Sequence, residues 1–94
     1  MKQEFQGVSR FSVSPDIKIS VIDGEAALLN VRTGAYFGLN PVGTLIWQSL
    51  ADGKTFDEAV QVVCKEFAVD AAVAAADART FARKMLDRGL LQTP

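Results

Sequence analysis

The run Arg32-Thr33-Gly34-Ala35-Tyr36-Phe37-Gly38-Leu39-Asn40-Pro41 constrains this chain most. Thr33-Gly34 is a turn signal, because glycine adopts the positive φ that tight turns require. Ala35, Phe37 and Leu39 then alternate with Tyr36 and Gly38, the pattern of a strand with one apolar face. Asn40-Pro41 switches the periodicity: Asn is a favoured N-cap, and the fixed φ of Pro suits the first helical position. A chain with turn, strand and helix start this close together must place a helix directly against a short strand. Such a junction can leave a strand edge beside a helix, where an extended peptide can dock.

The flanking sequence extends both elements. Ile17, Ile19 and Val21 alternate with Lys18 and Ser20, which predicts a half-buried strand. Asp23-Gly24 follows, a strong two-residue hairpin signal. Ala27, Leu29 and Val31 then alternate with Leu28 and Asn30 in a second strand. With the strand through Ala35–Leu39 this makes a three-stranded antiparallel meander. Residues 1–15 mix Gln, Ser, Gly and Pro with isolated Phe5, Val8, Phe11 and Val13. They read as a loosely held arm; as alternatives, the alternation of Phe11 and Val13 could add a strand or lie on an apolar surface.

Three helices follow. Val42, Leu45, Ile46 and Leu50 share one face of the first, bordered by Trp47, and Asp52-Gly53 ends it. Thr55 and Glu58 form a capping box for the second, whose apolar stripe is Phe56, Ala59, Val60, Val63 and Phe67. Asp70 caps the third. Its Ala-rich first half favours helix, and Ala74, Ala78, Phe81 and Met85 face the core. Gly89 stops it, and Leu90-Leu91 return along the sheet or close the core. The predicted fold is therefore α+β and winged helix-turn-helix-like: a three-stranded antiparallel β-meander followed by three α-helices, with the domain spanning residues 16–94.

Composition narrows the chemistry. The 94 residues suit one domain. There is no His and one Cys, so His-based metal sites, Ser-His and Cys-His nucleophile pairs and internal disulfides are excluded. Cys64 lies among Val62, Val63 and Phe67 and reads as a buried structural thiol. Asp57 and Glu58 fall in the first turn of a helix, where they complement its dipole rather than form an acid–base pair. Neither a GxxxxGK[ST] nor a GxGxxG phosphate loop occurs. No catalytic set, metal site or cofactor is expected. A net charge of −1 gives no overall attraction to nucleic acid or anionic lipid. No run approaches the roughly 20 apolar residues of a membrane span. The lone thiol and the absence of a signal-like run fit a cytoplasmic protein.

Two binding readings remain. Arg79, Arg83, Lys84 and Arg88 lie on the third helix, the position of the recognition helix in a winged-helix DNA-binding regulator. Asp77 and Asp87 share that helix, however, and its alanines offer few base-reading groups. The other reading is peptide capture. In sequence order the third strand is an edge, and Ala-Tyr-Phe-Gly-Leu carries none of the charge that normally blunts one. A partner strand could hydrogen-bond to it and fill pockets beside the neighbouring helix.

The residues also carry a resemblance. Leu28 to Asn40 (Leu-Leu-Asn-Val-Arg-Thr-Gly-Ala-Tyr-Phe-Gly-Leu-Asn), then Ile46-Trp47, then Asp77 and Phe81, then Arg88-Gly89-Leu90-Leu91 are similar to the PqqD-like family. Its members are the recognition elements for precursors of ribosomally made, modified peptides. The likeness spans about residues 16–92, and the Arg-Thr-Gly-Ala-Tyr-Phe segment resembles the small discrete members of lasso-peptide systems. Asn30 departs from the Asp commoner at that position.

The resemblance implies a non-catalytic chaperone that binds the leader of a precursor peptide as an added antiparallel strand on the third strand. It implies delivery to a separate maturation enzyme, in lasso systems a cysteine leader peptidase. Carried onto this sequence, Ala35, Tyr36, Phe37 and Gly38 would supply the strand edge. Asp77, Thr80, Phe81 and Lys84 would line the helical wall. Phe81 would share its role with core packing, and Asp77 would either bind a leader donor or cap local backbone.

Overall fold

The Asp23-Gly24 turn fixes the register of the sheet, and the register decides which side chains go inside. Both residues have positive φ, 53° and 78°, matching the right-handed twist of the strands they join. A computed structural model describes residues 5–93. In chain order the elements are β1 (Ser12–Val13), β2 (Ile17–Ile22), β3 (Glu25–Asn30), β4 (Tyr36–Gly38), α1 (Pro41–Ala51), α2 (Phe56–Phe67), α3 (Ala71–Asp87) and β5 (Leu91–Gln92). The three-stranded antiparallel sheet runs β2-β3-β4, as expected, and three helices follow it.

The inner face of β3 is carried by Ala26, Leu28 and Asn30, and the alternating set Ala27, Leu29 and Val31 faces outward. Ile17 pairs with Asn30 and Ile19 with Leu28, so Ala26, Leu28 and Asn30 point toward the helices. Leu28 is fully buried, whereas Leu29 is 40 % and Val31 53 % exposed. Both parities of this strand are apolar, so alternation alone could not choose between them. Ile19 and Val21 share the inner face but remain 47 % and 45 % exposed, because β2 is an outer strand that the helices cover only in part.

Each helix starts on the cap its sequence offers. The Asn40 side chain accepts from the Gly43 N–H at 2.8 Å, and Asp70 accepts from Ala72 at 3.1 Å. In the capping box the Thr55 N–H donates to Glu58 at 2.8 Å and the Glu58 N–H to Thr55 at 3.1 Å. Ile46, Trp47 and Leu50 of α1, Phe56, Ala59 and Val63 of α2, and Ala74, Ala78, Ala82 and Met85 of α3 form the core around Leu28. Small alanines let α3 lie close to α2. Phe67 departs from expectation: it is 37 % exposed, at the end of α2 where Ala68 turns left-handed with φ 51°.

The N-terminal segment is the main difference from the sequence reading. In place of a loose arm over residues 1–15, the described part is tied to the domain; residues 1–4 lie outside the described range. Phe5 and Phe11 are 6 % and 5 % exposed and meet edge to face at 5.3 Å. The carbonyls of Gly7 and Ser9 accept from Asp57 and Phe56, both at 2.9 Å, which satisfies two donors at the start of α2. Ser12–Val13 pairs antiparallel with Leu91–Gln92. Leu90 and Leu91 are buried, so the chain end closes the core against this segment rather than joining the main sheet.

Hydrogen bonds from Thr55 hold the Glu58 carboxyl below the ordinary carboxylate range. A depressed folded-state value stabilises the protein above the unfolded pKa and is lost as pH falls through the folded one. Glu58→Gln should therefore flatten part of the drop in melting temperature on acidification below the usual Glu range. Thermal melts of both proteins across that window check this.

Candidate functional site

The turn before β4 is built by Asn30. Its side-chain oxygen accepts from the N–H groups of Arg32 and Thr33 at 3.0 and 3.2 Å, and its carbonyl accepts from Gly34 at 2.8 Å. An Asp would accept the same two bonds. The amide does so at a buried position without placing a charge there.

Main-chain bonds then fix which residues of β4 face outward. The Asn30 N–H donates to the Ala35 carbonyl at 2.9 Å, and the Leu39 N–H donates to the Ala26 carbonyl at 2.8 Å. Phe37 lies opposite Leu28 between them. By strand alternation Ala35, Phe37 and Leu39 turn their backbone groups toward β3, leaving those of Tyr36 and Gly38 on the open edge. Ala35 thus lends no open main-chain group: its N–H also donates to Thr33 at 3.2 Å. Phe37 contributes its side chain, which points inward, rather than its backbone.

Beside this edge lies a groove between β4, the start of α1 and α3. It comprises two adjoining depressions of about 460 and 390 Å³. The first is lined by Tyr36, Phe37, Gly38, Phe81, Met85 and Arg88 among others. The second holds Asn40, Val42, Gly43, Asp77, Thr80 and Phe81, and Lys84 borders both. Phe81 is half-buried and floors the groove. It lies so close to α1 that a Cβ on Gly43 would come within 3.3 Å of its ring, so the backbone of Gly43 forms part of the floor.

The predicted wall, Asp77, Thr80, Phe81 and Lys84, is brought together along this groove. Gly43, Met85 and Arg88 were not foreseen. Met85 stands four residues after Phe81 and could have been found from that spacing. The Arg88 guanidinium lies 5.3 Å from the centre of the Phe37 ring, a cation–π contact between residues far apart in sequence.

The same helix weakens the DNA-binding reading. Arg79 stacks over Phe5 and Phe56, at 4.9 and 5.0 Å from the ring centres, and donates to the Phe5 carbonyl at 3.4 Å. It clasps the N-terminal segment instead of standing ready for phosphate. Among the described residues no group of three or more His, Cys, Asp or Glu could hold a metal, and no helix is long and apolar enough to cross a membrane.

Two solved structures resemble this fold over nearly their whole length. TbiB1 in complex with the TbiA(beta) leader peptide is 39% identical, with a TM-score of 0.79, covering 85% of this chain and 93% of that one. Lasso peptide synthetase B1 complexed with the leader peptide is 28% identical, also with a TM-score of 0.79, covering 88% of this chain and 98% of that one. Among curated protein sequences none matches. Residues 25–91, from the start of β3 to the first residue of β5, match the family of coenzyme PQQ synthesis protein D (PqqD), and the chain belongs to that family.

Proposed function

We propose that this chain is a non-catalytic carrier that captures the leader of a ribosomally made precursor peptide, as an antiparallel strand added to β4. It then presents the precursor to a separate maturation enzyme, a cysteine leader peptidase of the lasso-peptide type. One observation carries the reading: the backbone groups of Tyr36 and Gly38 face outward beside a groove floored by Phe81. An incoming strand would bond to these groups while every second side chain enters the groove. The leader-peptide complexes of the two similar structures support it.

The direct test is an amide NMR titration with the TbiA(beta) leader peptide. Shift changes should concentrate in residues 36–39 and α3. Changes confined to α2 would place the binding surface elsewhere.

Asp77 and Lys84 are exposed. Asp77→Ala and Lys84→Ala should each weaken leader binding by about 10- to 150-fold if a charge-assisted contact is lost, with little change in melting temperature. Phe81→Ala should lower both affinity and stability. Its stability loss should stay below the roughly 3–5 kcal/mol of a fully buried ring. Isothermal titration paired with thermal melts separates the effects. Parent-like binding by both charge variants would show the α3 wall to be misplaced.

A further inference from the structure

Main-chain pairing on β4 fixes neither the direction nor the register of a bound strand. A slip by one residue swaps its two faces, and a slip by two passes the same main-chain test. The groove must supply that information through side chains, and its charges are arranged unevenly. Asp77 lies at the end beside Asn40 and Val42. Lys84 lies between the two ends, bordering both depressions, and Arg88 lies at the other end, over Phe37. The adjoining surface of α3 adds Arg83, with Asp87 as the acid among its lining residues.

The dimensions match a short strand. Asp77 and Arg88 are eleven positions apart along α3 and its cap, about 16 Å of helix. Positions i, i+2 and i+4 of an extended peptide span about 13 Å and point to one side. On an antiparallel strand these would lie level with Leu39, then Phe37, then Ala35. The middle residue meets Phe37, Phe81 and Met85, an apolar set. The last reaches the Arg88 end. Stacking on Phe37 occupies the face of that guanidinium and leaves its planar edge of N–H donors to meet a carboxylate.

Resting on the leader-capture reading, we infer that the ligand is a leader segment with an acidic residue two positions after its apolar anchor, held by Arg88 and Lys84. Asp77 acts as the counterpart: in the correct register it accepts from a leader donor, and in the wrong one it meets the acid. A peptide bound in reverse, or slipped toward α1, brings the same carboxylate against Asp77 and is repelled. Attraction at one end and repulsion at the other set direction and register together.

The test is selection of a displayed library of random dodecapeptides on the intact protein, on Arg88→Glu, and on Lys84→Glu as a second variant, each checked for folding by circular dichroism. Peptides selected on the parent should carry Asp or Glu two positions after an apolar residue. Arg88→Glu should replace that acid with Lys or Arg, and a purified parent-selected peptide should lose about tenfold or more in affinity for it. Lys84→Glu should shift the preference the same way. Selected peptides showing the apolar anchor without any charge preference after it, or the same preference on all three proteins, would overturn the inference while leaving leader capture intact. Failure of the parent to enrich any extended peptide would overturn both.

Discussion

Tyr36→Pro should remove leader binding and leave the protein folded, whereas Phe37→Pro should unfold it. The two positions are neighbours on a three-residue strand, so the contrast isolates the direction of one N–H. At Tyr36 the N–H points to the open edge, and the residue is 69 % exposed, so the folded protein uses neither its N–H nor its ring in the core. Proline there deletes the donor that an incoming carbonyl needs and puts ring atoms in its path. An unpaired carbonyl costs about 1–3 kcal/mol, or about 5- to 150-fold in affinity, before the steric term is added. At Phe37 the same change removes a ladder bond to β3, the ring that packs on the core and the platform under Arg88. Calorimetric titration and thermal melts of both variants check the pair. A Tyr36→Pro protein that binds leader like the parent would remove strand addition at β4.

How much of this was legible in the sequence depends on how local each cause is. The hairpin at Asp23-Gly24, the Asn40-Pro41 helix start and the Thr55–Glu58 capping box are each set within about four residues, and all stand as read. The inner face of β3 was not legible, because Ala26 and Leu28 compete with Ala27 and Leu29, and the register to β2 decides between them. Phe5 fits no run of period 2 or 3.6, and Phe11 alternates only with Val13, so local pattern names no partner for either ring. Tertiary contacts hold them instead: Phe5 packs against Phe56 and under Arg79, and Phe11 packs against Phe5.

The groove divides in the same way. Phe81, Lys84, Asp77 and Thr80 follow the helical repeat, so one of them implies the others. Arg88 belongs to the site only because the length of α3 brings its cap level with Phe37 across the gap. The outward parity of Tyr36 and Gly38 rests on two hydrogen bonds, Asn30 to Ala35 and Leu39 to Ala26, that no count of apolar residues could predict.

The double substitution Phe5→Ala/Phe11→Ala should bring the domain close to unfolding, although neither residue touches the groove. Each ring is almost fully buried, and truncation of such a ring costs about 3–5 kcal/mol. The rings touch each other, so their losses are not additive, but even a partial sum is comparable to the roughly 5–14 kcal/mol expected for a domain of this size. The damage would also spread to function. Phe5 is one of the two rings under Arg79, and its carbonyl accepts from that side chain, so the segment helps to seat α3. The carbonyls of Gly7 and Ser9 hold the first turn of α2 in the same way. Phe5→Ala alone should lower the melting temperature and weaken leader binding in proportion to the fraction unfolded, with parent-like affinity in the folded remainder. Denaturant unfolding curves with titrations at low temperature distinguish these effects. A double variant that melts like the parent would mean that the N-terminal segment is a free arm after all.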